Sequence, residues 1–156
     1  GYEISGAASD PGAIASVRAV AGRLAPALPE SNFRAEPIER MTFPDAFADV
    51  VLASAVLHFA RDDAHFDAMV HEMWRVLKPG GLLFCRLASS IGMETRVERI
   101  AGRRHWLPDG SERYLVDQAM LLERTRALGG ELVDPLKTTV VQDARAMTTW
   151  VVRKLR

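Results

Sequence analysis

The apolar positions of this chain fall into short unbroken runs and longer stretches of helical period, and the two alternate. Asp49-Val50-Val51-Leu52-Ala53-Ser54 is continuous apart from its leading acid, the pattern of a strand covered on both faces, as in a parallel sheet. Leu82-Leu83-Phe84-Cys85-Arg86-Leu87 is a second such run. Between them, Phe66, Met69, Val70, Met73 and Leu77 share one face of a predicted helix over 62–77. Lys78 at its end complements the helix dipole, and Pro79-Gly80-Gly81 stops it. Upstream, Tyr2 to Ala8 alternates weakly and predicts a short strand running into the turn Ser9-Asp10-Pro11-Gly12. Asp10 is a good N-cap, Pro11 suits the first helical position, and Ile14, Val17, Ala21 and Leu24 keep helical spacing until Pro26 and Pro29.

Ser31 to Ala35 reads as a short strand around Phe33, followed by a loop over 38–47 that turns at Pro44-Asp45. Ser89 to Ser111 reads as long and irregular, with many arginines. A helix over 117–128 closes on Gly129-Gly130. Glu131 to Pro135 starts a strand, and Thr138 to Val141 and Thr148 to Arg153, joined by a short turn, predict an antiparallel hairpin. The alternation argues for an α/β fold with a mostly parallel sheet ending in that hairpin. No linker divides the 156 residues, so the expectation is a single domain.

Composition narrows the function classes. An apolar content of 48% supports a packed core and excludes a disordered chain. Twenty basic residues balance twenty acidic ones, which argues against nucleic acid as partner, since such binders carry a basic excess. No apolar run approaches the roughly 18 residues of a membrane span. Cys85 is the lone cysteine, so no intrachain disulfide forms, and the cytoplasm is the default compartment. His65 and His71 stand six apart on one helix, on different faces, and make no metal pair.

Three segments in order carry a resemblance: Phe43-Pro44-Asp45-Ala46-Phe47-Ala48-Asp49-Val50-Val51, then Leu57-His58-Phe59, then Glu72-Met73-Trp74-Arg75-Val76-Leu77-Lys78-Pro79-Gly80-Gly81. Together they resemble the middle of a class I S-adenosylmethionine-dependent methyltransferase of the type 11 group. Gly6 to Ile14 resembles that family's second strand and following turn, and the terminal hairpin resembles the antiparallel end of its sheet. The resemblance implies a Rossmann-like fold, S-adenosylmethionine as cofactor and a small-molecule methyl acceptor. The glycine-rich turn that follows the family's first strand has no counterpart here, which implies a chain lacking the first strand and helix of the family fold. The family's acid at the end of the second strand aligns with Ala8, leaving Asp10, two residues on, as the acid available for the ribose hydroxyls.

The resemblance also assigns further positions. Glu36 would sit near the adenine, with Pro37 and Ile38 lining the ring; the other reading of Glu36 is a solvated loop acid. Ser54, Ala55, Val56 and Leu57 follow a strand at the end where ligands bind in open parallel sheets, facing the methionine part of the cofactor and the acceptor. His58 is the candidate catalytic base, with an ordinary pKa suited to neutral pH, or else a packing histidine. Lys78-Pro79-Gly80-Gly81 reads as structural. Arg86, Arg96, Arg99, Arg103, Arg104 and His105 form either an anion-attracting lid or a solvated basic loop balanced by Glu94, Glu98 and Glu112. An alternative to the enzyme is a non-catalytic fragment without cofactor, in which an exposed strand edge is covered by a second copy as a homodimer. A nicotinamide-dependent oxidoreductase is a third reading, weakened by the missing glycine fingerprint.

Overall fold

The computed structural model describes residues 2–155 and divides into two compact units, Gly1–Phe43 and Pro44–Arg156. In the first unit, strand β1 (Gly6–Ala8) pairs in parallel with β2 (Phe33–Ala35), Gly6 opposite Phe33 and Ala8 opposite Ala35. Helix α1 (Pro11–Leu24) joins them. It starts where the sequence predicts, with the Asp10 carboxylate accepting from the Gly12 N–H at 2.9 Å and Pro11 opening the first turn. Ile14 and Phe33 are buried, and the Arg18 guanidinium donates to the Phe33 carbonyl at 2.6 Å.

The second unit is built on strands β3 (Ala48–Ser54) and β4 (Leu77–Ser89), which run parallel on either side of helix α2 (Asp63–Val76) in sequence. α2 is capped by Asp62, whose carboxylate accepts from the His65 N–H at 2.8 Å, and it buries Phe66, Met69, Val70, Met73 and Val76. The chain then crosses a three-stranded antiparallel sheet, β5 (Glu98–Ala101), β6 (Arg104–Trp106) and β7 (Glu112–Tyr114). Helix α3 (Gln118–Ala127) and strands β8 (Gly130–Leu132), β9 (Lys137–Val141) and β10 (Arg145–Lys154) complete the unit. β10 is antiparallel to β4, β8 and β9, so the sheet is mixed and the predicted terminal hairpin is β9–β10.

One face of this sheet is the core. Ala53, Leu83, Cys85, Leu87, Trp150 and Val152 are buried there. Packing reaches α3 through a hydrogen bond of 2.9 Å from the Trp150 indole N–H to the Thr125 hydroxyl. α3 is tied to α2 by the fork of Arg124 on Asp67, at 2.6 and 3.0 Å. Burial pushes the Cys85 thiol up to about 12, so it stays protonated and inert.

Three sequence expectations are corrected. β3 is not covered on both faces: alternate residues Val50 and Leu52 are 57% and 69% exposed. An unbroken apolar run does not report how many faces are packed. Pro79-Gly80-Gly81 does not separate helix from strand, because β4 already begins at Leu77 and contains it. Gly80 turns with φ +82°, and at Gly81 a Cβ would lie 2.8 Å from the Asp49 carbonyl oxygen. Lys78 does not cap α2 but grips the Asp49 carboxylate at 2.8 and 2.9 Å. The cation at that helix end is Lys154, whose ammonium donates to the Trp74 and Leu77 carbonyls at 2.6 and 2.8 Å.

Candidate functional site

In the first unit, the register of β1 and β2 brings two predicted acids to one sheet end, because both follow the carboxyl ends of their strands. The Glu36 N–H donates to the Ala8 carbonyl at 3.0 Å, extending the pairing to that residue. Its side chain then folds back: one carboxylate oxygen accepts from the Thr42 N–H at 3.0 Å and the other from the Thr42 hydroxyl at 2.7 Å. Arg34 donates to the same hydroxyl at 2.8 Å and stacks over Phe43 at 4.0 Å. Glu36 thus organises its loop, a role the sequence left open as that of a solvated acid or a ligand. Pro37 leads into a 3-10 turn at Ile38–Arg40, with Pro37 and Ile38 both half-buried. Asp10 is exposed and uses one carboxylate oxygen on the α1 cap. Its other oxygen has no hydrogen bond among the described residues.

In the second unit, β3 ends at Ser54, paired with Arg86 of β4. Ala55 follows with φ +59°, a left-handed conformation that costs about 1 kcal/mol for a residue with a side chain. The strain is held by the Ala55 N–H donating to the Arg86 carbonyl at 2.8 Å. The chain leaves the sheet there and makes a 3-10 turn at Leu57–Phe59. Ser54 and Ala55 are exposed and Val56 half-buried, all accessible to a ligand. Leu57 is fully buried, so its side chain packs in the core, which corrects the expectation that it faces the cofactor.

His58 is 6% exposed. Its Nδ1 accepts the Ala88 N–H at 3.2 Å. β3 pairs with β4 only as far as Arg86, and the Ala88 N–H lies beyond that pairing. The imidazole thus supplies the acceptor that a longer strand would have supplied, and avoids a buried unpaired donor. Nδ1 being an acceptor, the proton of the neutral ring is on Nε2. Burial, aided by Arg113, Arg145 and Arg86, lowers the His58 pKa to about 4. A ring so weakly basic, with one nitrogen committed to the backbone, is a poor proton acceptor at neutral pH; the geometry favours the packing reading over the general-base reading.

The segment over 89–111 is irregular over 90–97 and 107–111, as expected, but between them it forms β5 and β6. Tyr114 anchors the small β5–β7 sheet, stacked on Phe66 at 5.2 Å with its hydroxyl on the Asp63 carboxylate at 2.7 Å. Burial and that carboxylate raise the Tyr114 pKa. Leu107 and Leu115 pack with Ala88 and Met147 at the end of β4. The small sheet is therefore fixed beside the carboxyl ends of β3 and β4, and brings Arg113 over the exposed ring of Phe59 at 4.9 Å. Neither Phe59 nor Arg113 stood out in the sequence. Phe59 was legible only as the neighbour of His58, and Arg113 had no signal.

Asp10, Glu36, Pro37 and Ile38 belong to the first unit, Ser54 to His58 to the second. Within each, the residues present suit an adenosyl cofactor: a free carboxylate oxygen for hydroxyl groups, a half-buried apolar pair for a ring, and an open backbone turn. Among the described residues no cluster of three His, Cys, Asp or Glu side chains could hold a metal ion, and no helix is long and apolar enough to cross a membrane.

A family profile described as a methyltransferase domain matches residues 2–85, more than half of the chain. Among solved structures, the chain is similar to an S-adenosylmethionine-dependent methyltransferase of Methanosarcina mazei, at 18% identity and TM-score 0.77, covering 99% of this chain and 83% of that one. It is similar to the 1,6-didemethyltoxoflavin-N1-methyltransferase of Burkholderia thailandensis, solved with 1,6-didemethyltoxoflavin and S-adenosylhomocysteine, at 16% identity and TM-score 0.71, covering 100% and 63%. It is also similar to the N-methyltransferase NodS of Bradyrhizobium japonicum in complex with S-adenosylhomocysteine, at 15% identity and TM-score 0.69, covering 96% and 65%. At these identities the likeness concerns the fold. No curated protein sequence matched the chain.

Proposed function

The chain belongs to the methyltransferase domain family, the class I S-adenosylmethionine-dependent methyltransferases, and we propose that it transfers a methyl group from S-adenosylmethionine to a small-molecule acceptor in the cytoplasm. The observation that carries this reading is the end of β3, where left-handed Ala55 turns the chain out of the sheet and leaves Ser54 to Val56 open. Ligands of open α/β sheets bind beyond the carboxyl ends of the strands.

When bound, S-adenosylmethionine supplies an electrophilic methyl group on a sulfonium, which is transferred by in-line displacement. The work left to the protein is chiefly orientation, since near-attack geometry supplies much of the acceleration. In this reading the free Asp10 oxygen accepts from ribose hydroxyls, and Pro37 and Ile38 lie against the adenine. Ser54, Ala55 and Val56 hold the methionine part. His58 acts as a positioning residue. It fixes the turn that carries Phe59 by accepting the Ala88 N–H, and holds its own proton at Nε2, where a neutral ring is a donor.

Calorimetric titration with S-adenosylmethionine and S-adenosylhomocysteine tests the reading. Saturable binding at micromolar levels is expected, weakened by Asp10→Ala. A folded sample that binds neither ligand overturns it.

A further inference from the structure

The arginines that the sequence groups together are sorted by the structure. Arg96 pairs with Asp143, Arg103 with Asp117 at 2.8 Å, and Arg104 with Glu112. Arg99 donates to the Gly102 carbonyl at 3.1 Å. Arg86 has no carboxylate partner among the described residues, and two arginines from distant parts of the sequence join it.

Arg113, on β7, lies over the Phe59 ring at 4.9 Å and donates to the Glu112 carbonyl at 2.7 Å. Arg145 opens β10. Because Ala146 opposes Ser89, Arg145 stands just past the carboxyl end of β4. Arg86 is exposed on β4, paired with Ser54 at the end of β3. Asp109 is the carboxylate set among them. It lies 4.0 Å from Arg145 and takes the Ser111 hydroxyl and N–H at 2.5 and 3.0 Å. Both Arg145 and Arg113 act on it electrostatically, which with the Ser111 bonds keeps Asp109 ionised to lower pH than usual.

Three guanidiniums against one carboxylate leave a net positive charge at the end of the sheet where Ser54 to Val56 lie open. The chain as a whole is neutral, so this is a local concentration. All three act on His58, which is buried beside them and uncharged at neutral pH. Charge of one sign gathered in a cleft raises the local concentration of counter-ions and steers ligands of opposite sign. Guanidinium also suits carboxylate and phosphate groups, which it can meet with two parallel N–H donors. Phe59, 60% exposed, offers apolar area beside them.

Resting on the methyltransferase reading, we propose that the methyl acceptor is an anion, its carboxylate or phosphate held by Arg113, Arg86 and Arg145 beside the exposed ring of Phe59. The site selects by charge: a neutral acceptor of the same shape binds more weakly because it leaves the guanidiniums without a counter-charge.

The test uses the full chain, isotope-labelled for NMR and titrated at neutral pH with benzoate, phenyl phosphate and neutral benzamide. One of the two anions should bind saturably, shift the signals of Phe59, His58 and Arg113, and bind about tenfold tighter than benzamide; which anion does so distinguishes carboxylate from phosphate. Arg113→Gln and Arg86→Gln should each weaken that anion about tenfold, and Arg153→Gln, on the same sheet but near the far end of β10, should not. Unchanged signals elsewhere show that the variants are folded. Benzamide binding as tightly as the anions overturns the proposal, as does an affinity indifferent to Arg113→Gln and Arg86→Gln, or no saturable binding of either anion. S-adenosylmethionine calorimetry on the same samples separates the two readings. Donor binding without anion binding removes only this proposal. Anion binding without donor binding keeps an anion site and removes methyl transfer.

Discussion

His58→Asn tests whether the buried imidazole is a structural acceptor or a titrating group with a use of its own. Asn carries Oδ1 on Cγ, where His carries Nδ1, so it keeps an acceptor for the Ala88 N–H while losing the proton equilibrium. In the folded chain the His58 pKa is lowered from 6.5 to about 4, by burial first and then by Arg113, Arg145 and Arg86. Well above pH 6.5 the ring is neutral in both folded and unfolded chains and contributes no pH dependence. Between 6.5 and 4 the unfolded chain takes up the proton and the folded one does not, so stability falls as pH falls. The full difference is about 3 kcal/mol, of which about 2 kcal/mol is lost by pH 5. Urea unfolding at closely spaced pH values between 7.5 and 4.5 measures it. The wild type should lose that much more stability than His58→Asn over this range, even if the smaller side chain lowers the variant at every pH. Asp109 and Asp117, whose pKa values are lowered by hydrogen bonds and arginines, titrate in both proteins and cancel in the difference. Superimposable pH profiles would mean that His58 is not held neutral by its surroundings, and the positioning role would fall with them.

Three further changes probe the scaffold beneath the site. Thr125→Val keeps the side-chain shape but leaves the Trp150 indole N–H without its acceptor, and should cost about 1–3 kcal/mol in thermal unfolding. Gly81→Ala puts a Cβ 2.7 Å from the Leu77 side chain and 2.8 Å from the Asp49 carbonyl, a clash with backbone that should cost about 1–3 kcal/mol by the same assay. Gly102→Ala, where a Cβ would meet nothing within 4 Å but φ is +55°, should cost about 1 kcal/mol.

What the sequence made legible is what local chemistry decides. Asp10 caps α1 because a carboxylate one residue before a helix satisfies free N–H groups whatever surrounds it. The β9–β10 hairpin followed from two extended runs close in sequence. The β5–β7 sheet did not follow, because all four residues of β5 are exposed and show no alternation of apolar and polar positions. It is held through Tyr114, Leu107 and Leu115, three residues whose partners lie far off in the sequence. Of the candidate site, Ser54 to Val56 were legible because a strand's carboxyl end is a general binding place. The state of His58 was not, because its acceptor role depends on where β3 stops pairing with β4. Arg113 and Arg145 were invisible for the same kind of reason: one is placed by a small antiparallel sheet and the other by the register of β10 against β4.

The position of β10 also bears on how the protein is made. This strand pairs with β4, β8 and β9, so the middle of the sheet is the last of its strands to be synthesised. Until it leaves the ribosome, β4 has β3 on one side and nothing on the other, with Leu83, Cys85 and Leu87 ready to be buried. The second unit therefore cannot close progressively from its amino end, although domains commonly fold in that order during synthesis. A nascent chain arrested before Arg145 should remain open and dependent on chaperones, while the first unit already has both of its paired strands.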